Sequence, residues 1–106
     1  MTTASDSDEG VRGTATVRNK PDAERYELYV RGTELAGTLS YTADDGVVSL
    51  VHTEVRPQWA GNGLASIVVR AALDDLRGRG LSVRPQCEYV AGYIDKHPQY
   101  RDLVAH

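Results

Sequence analysis

Two glycines, Gly61 and Gly63, stand immediately before a stretch with a strong helical pattern. The first turn of a helix has backbone N–H groups without acceptors and a partial positive charge of about half a unit. Because a glycine has no Cβ, an anion can approach the backbone closely at such a turn. Two glycines before a helix are also common in tight turns that bind nothing. The Gly-Lys-Ser/Thr of a nucleoside-triphosphate P-loop and the third glycine of a dinucleotide fingerprint are absent from the sequence.

Two side chains upstream of this turn can take part in acid–base chemistry. His52 and Glu54 are two residues apart near the end of a predicted strand, so their side chains share one face. Glu54 is a candidate general base, directly or through a water molecule. The alternative for Glu54 is a solvated charge at a strand end. His52 is a second candidate, although a partly buried histidine with satisfied ring nitrogens is the favoured interpretation.

Cys87 is the single cysteine of the chain and lies just before a predicted helix. A helix N-terminus lowers the pKa of a thiol and so raises its thiolate fraction. Such a cysteine can act as a nucleophile, whereas a buried, inert cysteine is the structural alternative. A single cysteine also excludes an internal disulfide framework.

Alternating apolar residues predict the strands that position these side chains. The predicted strands lie at residues 11–18, 24–30, 34–41, 47–55 and 81–85. In the third of these strands, Leu35, Leu39 and Tyr41 are predicted to point to one side. The fourth strand is apolar on both faces, which predicts a central strand that is covered on both sides.

An i, i+4 apolar stripe predicts an amphipathic helix directly after Gly63. The stripe consists of Leu64, Val68, Ala72 and Leu76. Since this helix connects two predicted strands, the two strands should pair in parallel through a right-handed crossover. Two further helices are predicted at residues 89–96 and 98–106, on either side of a break at Pro98.

Length and charge limit the classes of function. The 106 residues suit one domain, predicted to span residues 11–106 after a polar, acidic and disordered tail at residues 1–10. The formal net charge of −3 provides no basic field for nucleic acid. The sequence has no apolar run of about 20 residues and no signal peptide, so we expect a cytoplasmic protein without a membrane partner. The three histidines do not have the spacing of metal ligands, so no metal is expected.

The order of the elements, with a glycine turn after a central strand, resembles the GCN5-related N-acetyltransferase superfamily. The resemblance implies an α+β (α/β) fold with a mixed sheet, mainly antiparallel with one parallel strand pair, flanked by helices. It also implies that backbone N–H groups of the turn hold the pyrophosphate of acetyl-coenzyme A. Ala60 is interpreted as standing where the superfamily usually has Arg or Gln, so a side-chain contact to phosphate should be missing. The implied cofactor-binding residues are Val55, Ala60, Gly61, Asn62, Gly63, Leu64, Ala65 and Ser66.

The C-terminal segment resembles the small, single-domain YidJ-like branch of this superfamily. The matching residues are Cys87, Val90, Tyr93, Ile94, His97, Pro98 and Tyr100, whereas Glu88 replaces a usual proline. The resemblance places Cys87 near the acetyl group, either as a transient acetyl acceptor or as a wall of the pocket. It implies that Tyr93 protonates the coenzyme A thiolate, with an aromatic core residue as the alternative. His97 and Tyr100 are interpreted first as fixing the turn between the last two helices, with lining of the pantetheine side of the cofactor as the alternative.

Two functions follow from the resemblance. The first is an acetyl-coenzyme A-dependent N-acetyltransferase that acts on an amine, such as an exposed lysine or a peptide amine, by direct transfer. The second is an acyl-coenzyme A-binding module or sensor with little catalysis. Only a short turn separates the strands at residues 24–30 and 34–41, so an open, shallow acceptor cleft is predicted. A monomer or weak dimer is expected in either case.

Overall fold

The computed structural model describes residues 11–105, in which five strands form one mixed sheet. The strands lie in the order β1-β2-β3-β4-β5, with antiparallel pairing from β1 to β4 and parallel pairing of β4 with β5. This topology confirms the predicted fold class. The strands are β1 (Thr16–Lys20), β2 (Arg25–Val30), β3 (Glu34–Asp44), β4 (Val47–Val55) and β5 (Ser82–Pro85); the helices are α1 (Leu64–Gly78) and α2 (Glu88–Lys96), and 3-10 turns occupy Pro21–Ala23, Pro57–Trp59 and Pro98–Leu103. The predicted tail at residues 1–10 lies outside the described residues.

The core lies between one face of the sheet and the two helices. The predicted stripe of α1 is confirmed, because Leu64, Val68, Ala72 and Leu76 are all buried. Val90 and Ile94 of α2 join the same core cluster. Helix α1 ends where Gly80 takes a left-handed conformation at φ +72°, the usual way for a helix to stop.

Two β-bulges change the faces that alternation predicts. The pairing of β2 with β3 shifts by one residue at Ala36, so Leu35 pairs opposite Tyr29 rather than facing the core with Leu39. The pairing of β3 with β4 shifts at Val51, whose side chain is 42% exposed. An extra residue in one strand reverses the alternation beyond it. The predicted common face for Leu35 and Leu39 is therefore wrong.

Helices cover only one face of strand β4, so the prediction that both of its faces are covered is wrong. Val48 and Leu50 are buried against the helices, and beyond the bulge Val55 joins their face. Both described helices pack into this one core cluster, while the opposite face of β4 carries His52 and Glu54, which are exposed.

The chain ends of the described region also differ from the predictions. The strand predicted at residues 11–18 is Thr16–Lys20, because residues 11–13 are helical. The last predicted helix is a run of 3-10 turns, Pro98–Leu103, after which Val104 forms a parallel bridge with Val83 of β5. No helix within residues 11–105 is long and apolar enough to cross a membrane.

A buried carboxylate, Glu27, stabilises the uncovered face of the sheet. Its side chain accepts hydrogen bonds from the Tyr29 hydroxyl at 2.5 Å and from Arg25 Nε at 2.7 Å, so each carboxylate oxygen has a donor. The hydrogen bond from Tyr29, followed by the contacts with Arg25, lowers the pKa of Glu27 despite the cost of its burial. The charged form of Glu27 is therefore favoured in the folded protein.

Glu27→Gln is expected to lower the free energy of unfolding by about 1 kcal/mol at neutral pH, because two donors lose a charged acceptor. Since the folded pKa is lowered, the stabilisation is fully present above the unfolded pKa and is lost as the pH falls through the folded pKa. Urea unfolding of both proteins from pH 7 down to about pH 3 should show the difference shrinking with acid. A difference that is constant with pH would contradict the role of the charge.

Candidate functional site

The glycine turn after β4 presents a run of backbone N–H groups. Gly61 and Gly63 have φ values of +87° and +71°, a conformation that glycine adopts at little cost. Gly63 is the N-cap of α1 and, having no side chain, gives the helix no side-chain cap. Among the described residues, the N–H groups from Gly61 to Ala65 donate no hydrogen bond to a backbone carbonyl in turns, loops or helix caps. Their hydrogen-bonding capacity is therefore available to a ligand.

Hydrogen bonds within the segment hold the turn in shape. The side-chain amide of Asn62 donates to the Trp59 carbonyl at 3.0 Å, and the Ser66 hydroxyl donates to the Gly63 carbonyl at 2.9 Å. Trp59 packs against the core, and the Arg31 guanidinium lies 5.4 Å from its ring centroid. The Leu64 side chain is buried, so this residue offers the turn its backbone alone.

A cavity of about 580 Å³ opens beside the turn, between α1 and α2. Ser66 and Arg70 of α1 line one side, and Tyr93 and Lys96 of α2 line the other. Arg12, from the segment before β1, closes the end near the glycines. The cavity thus combines three cationic side chains, one carboxylate and an aromatic wall close to the N-terminus of α1, a combination suited to an anionic ligand with an apolar part.

The parallel strands β4 and β5 separate next to this cavity. Their pairing runs from Val47 with Ser82 to Leu50 with Pro85, after which β4 continues to Val55 without a β5 partner. The Cys87 N–H donates to the Leu50 carbonyl at 2.9 Å, which fixes the point of separation. Cys87 is also the N-cap of α2, as the sequence predicted.

The Cys87 thiol faces Thr53, a residue that the sequence analysis missed. Their Sγ and Oγ1 atoms are 3.4 Å apart. Burial raises the pKa of the Cys87 thiol, but hydrogen bonds from the Thr53 hydroxyl and from the backbone N–H groups of Val90, Tyr89 and Thr53 outweigh it, so the pKa is lowered overall. Thr53 could have been found only with knowledge of the bulge, because regular alternation places it on the face opposite to Leu50.

The alkylation of Cys87 by iodoacetamide is expected to have a midpoint below the value of about 8.5 that is typical of a free thiol. Thr53→Val removes the hydroxyl and should move the midpoint upward. Thr42→Val, on the exposed part of β3, is the matched control and should leave the midpoint unchanged. The rate of alkylation measured between about pH 5 and pH 10 tests this. A midpoint that does not move in Thr53→Val would mean that the hydroxyl does not stabilise the thiolate.

His52 and Glu54 share a face, as predicted, but this face is opposite to that of Cys87. They pair with Ser40 and Thr38 of β3, whereas Thr53 between them pairs with the buried Leu39. Glu54 lines a second cavity of about 260 Å³ together with Arg25 and Arg56. The candidate acid–base residues of β4 and the thiol thus lie on two sides of one strand, close to the point where β4 and β5 separate.

Tyr93 lines the larger cavity from α2. Its ring stacks on His97 at a centroid distance of 3.9 Å, and its hydroxyl makes no hydrogen bond to another described side chain or backbone group. Burial raises the pKa of Tyr93, so the hydroxyl keeps its proton at neutral pH. His97 Nδ1 bonds to the Tyr93 carbonyl at 2.8 Å, and the Tyr100 hydroxyl donates to Asp74 at 2.6 Å. These bonds agree with structural roles for His97 and Tyr100.

The profile of GCN5-related N-acetyl-transferases matches residues 25–103 of the chain. The chain belongs to the GCN5-related N-acetyltransferase family. The match begins at β2 and extends through the glycine turn, both helices and the final 3-10 turns. It thus includes both sides of β4, the smaller cavity and all of the larger cavity except Arg12, which supports acetyl transfer as the general activity.

Two curated relatives and two solved structures are similar to this chain, and the solved structures share its fold. Protein NATD1 of Mus musculus is 31% identical over 85 residues, which are 77% of this chain and 77% of the mouse protein. Protein NATD1 of Homo sapiens is likewise 31% identical, over 77% of this chain and 75% of the human protein. The solution structure of a GCN5-like putative N-acetyltransferase from Staphylococcus aureus has a TM-score of 0.66 at 15% identity, over 87% of this chain and 89% of that one. The ribosomal-protein-S18-alanine N-acetyltransferase of Escherichia coli has a TM-score of 0.57 at 13% identity, over 91% of this chain and 72% of that one.

Spacing corrects the predicted role of Ala60 within the family pattern. The pattern Arg/Gln-x-x-Gly-x-Gly/Ala has its first residue three positions before the first glycine, which in this chain is Gln58 and not Ala60. Gln58 lies exposed in the 3-10 turn Pro57–Trp59. Ala60 is the extended residue that ends this turn. The acetyltransferase-family turn is therefore complete in this chain, with a neutral side chain in its first position.

Proposed function

We propose that the protein is an acetyl-coenzyme A-dependent N-acetyltransferase, which transfers an acetyl group from the thioester to an amine. The strongest support comes from the N–H groups of Gly61 to Ala65. None of them donates to a backbone carbonyl in the described turns, loops and caps, and they lie beside a cavity of about 580 Å³. A Cβ at Gly61 or Gly63 would stand on a backbone that L side chains rarely adopt, so the turn is built from glycine where close approach is needed.

The residues around the turn fit coenzyme A. The N–H groups of Gly61, Asn62, Gly63, Leu64 and Ala65 would hold the pyrophosphate, with the partial positive charge of α1 behind them. Ser66 lines the cavity on the path of the ligand, while Val55 packs against the core and fixes the strand that leads into the turn. Ala60 would contribute its backbone, and not its side chain, to the binding site. The bound thioester would then lie between α1 and α2, with its acyl end toward Cys87.

Glu54 is proposed as the general base. It receives a proton from the acceptor amine, directly or through water, as the amine nitrogen attacks the thioester carbonyl. The carbon–sulfur bond breaks, and Tyr93 gives its proton to the departing thiolate. Cys87 forms a wall of the acyl pocket, and its stabilised thiolate makes it the group that would carry the acetyl transiently if transfer took two steps. His52 lies beside Glu54 on the same face and is proposed to assist it.

The acceptor side is proposed to be the uncovered face of the sheet. Arg25 and Arg56 flank Glu54 in an open, shallow cavity, and no described helix covers it. Such a surface suits an exposed lysine or the amine of an extended peptide better than an enclosed metabolite.

Calorimetric titration with acetyl-coenzyme A, together with release of the free thiol in the presence of peptide and small amines, tests the proposal. Binding with turnover supports the transferase. Tight binding without turnover on any amine would instead support an acyl-coenzyme A-binding module. Absence of binding would overturn both.

A further inference from the structure

The glycine turn lacks charged side chains of its own. The segment "PQWAGNGLAS", residues 57–66, contains neither acidic nor basic residues. A pyrophosphate carries two negative charges, and charge-assisted hydrogen bonds to phosphate are about twice as strong as neutral ones. If backbone N–H groups were its only partners, the pyrophosphate would lack hydrogen bonds from positively charged donors.

Arg12 brings a cation to the turn from a distant part of the sequence. Its Nη1 donates to the Asn62 carbonyl at 3.3 Å, across a separation of 50 residues. A Cβ built on Gly63 would overlap the same guanidinium. Arg12 also lines the cavity between the helices. The guanidinium therefore stands at the N-terminus of α1, in contact with the glycine turn and on the wall of the cavity.

The backbone around Arg12 is fixed to the domain. Val11 is 4% exposed and belongs to the core cluster. The Thr14 hydroxyl donates to the Val11 carbonyl at 2.9 Å and accepts from the Arg31 N–H at 2.9 Å. The Ala15 N–H donates to the Arg12 carbonyl at 3.1 Å. Because its backbone is already ordered, Arg12 would lose side-chain entropy but little backbone entropy on binding a ligand.

The charge of Arg12 is not neutralised within the described residues. Its hydrogen-bond partner there is an uncharged carbonyl, and no carboxylate from residues 11–105 forms a salt bridge with it. Glu88 is the acidic residue that lines the same cavity, against the cations Arg70 and Lys96. Among residues 11–105, the end of the cavity near the glycines thus keeps a positive charge.

We propose that Arg12 is a further coenzyme A-binding residue, whose guanidinium pairs with the pyrophosphate held by the glycine turn. This inference rests on the proposed function, since it takes coenzyme A as the ligand. The 3.3 Å bond to the Asn62 carbonyl is a weak one that the guanidinium can exchange for phosphate oxygens without moving the backbone. The segment before β1 is thus part of the binding site.

Calorimetric titration of Arg12→Gln with coenzyme A and with 3′-dephospho-coenzyme A tests the proposal. We expect the Kd to rise about tenfold or more for both ligands, because both contain the pyrophosphate. Arg18→Gln is the matched control: it removes the same charge from the exposed part of β1 and should change neither Kd by more than about twofold. Thermal unfolding without ligand should give the same Tm for Arg12→Gln and the wild type, which shows that the variant is folded.

The outcomes separate this inference from the proposed function. A wild-type protein that binds neither ligand would overturn both. Binding by the wild type and Arg12→Gln with equal Kd would overturn the role of Arg12 alone. A loss confined to coenzyme A, with 3′-dephospho-coenzyme A unaffected, would assign Arg12 to the 3′-phosphate and overturn its pairing with the pyrophosphate.

Discussion

Glu54→Gln is expected to lower kcat by about 100-fold or more while leaving the Kd for acetyl-coenzyme A unchanged. Glutamine keeps the size of the side chain and one acceptor oxygen but cannot take the proton of the amine. The Kd should not change, because Glu54 lies on the face of β4 opposite to Cys87 and the larger cavity. Steady-state kinetics with a peptide amine, together with calorimetric titration of acetyl-coenzyme A, measure the two quantities separately.

Glu34→Gln is the matched control for this variant, since Glu34 is an exposed carboxylate at the start of β3 and has no part in the proposed chemistry. Its kcat should match that of the wild type. An unchanged kcat in Glu54→Gln would contradict the role of Glu54 as base. A Kd that rose in parallel with the loss of kcat would point to a role in binding.

Gly63→Ala is expected to raise the Kd for coenzyme A more than tenfold and to lower the free energy of unfolding by about 1 kcal/mol. The methyl group would stand at φ +71° and against the Arg12 guanidinium, in front of the N–H groups of the turn. A loss of about 1 kcal/mol lowers the Tm by roughly 4–8 °C in a domain of about this size. Calorimetric titration and thermal unfolding measure the two effects.

Gly78→Ala provides a control of opposite sign. Gly78 is the last residue of α1, and a Cβ there would meet no atom within 4 Å. Alanine at this position should therefore stabilise the protein by about 0.5–1 kcal/mol and leave the Kd unchanged. A Gly63→Ala protein that binds coenzyme A as tightly as the wild type would contradict the assignment of the turn as the pyrophosphate site.

Local patterns were sufficient to predict the elements that hold the site. The apolar stripe of α1 and the glycines before it are encoded within about 20 consecutive residues, so periodicity and turn chemistry identify them. Parallel pairing of β4 with β5 also followed, because a helix joins the two strands and returns the chain to the same edge. The position of Cys87 just before α2 also followed from the sequence, and the family resemblance added its expected place near the acetyl group.

Features that depend on contacts between distant parts of the chain could not be predicted from local patterns. Nothing near Arg12 in the sequence indicates that its guanidinium meets a turn 50 residues later; only the packing of Val11 into the core places it there. The bulge at Ala36 is equally hidden, because an extra residue in a strand leaves the composition of the strand unchanged. The predicted role of Ala60 is wrong because Gln58, two positions earlier, has the spacing of the first residue of the family pattern.

The extra residue at Val51 decides which chemical groups face the thiol. If Val51 instead took a regular place in the strand, alternation from Leu50 would turn His52 and Glu54 toward Cys87 and Thr53 to the other side. A carboxylate beside the thiol would repel a thiolate, and no base of β4 would remain for an amine that approaches from the uncovered face. The bulge therefore separates a neutral, hydroxyl-bearing side of the strand, where the thioester is proposed to bind, from an ionisable side, where the amine is proposed to approach.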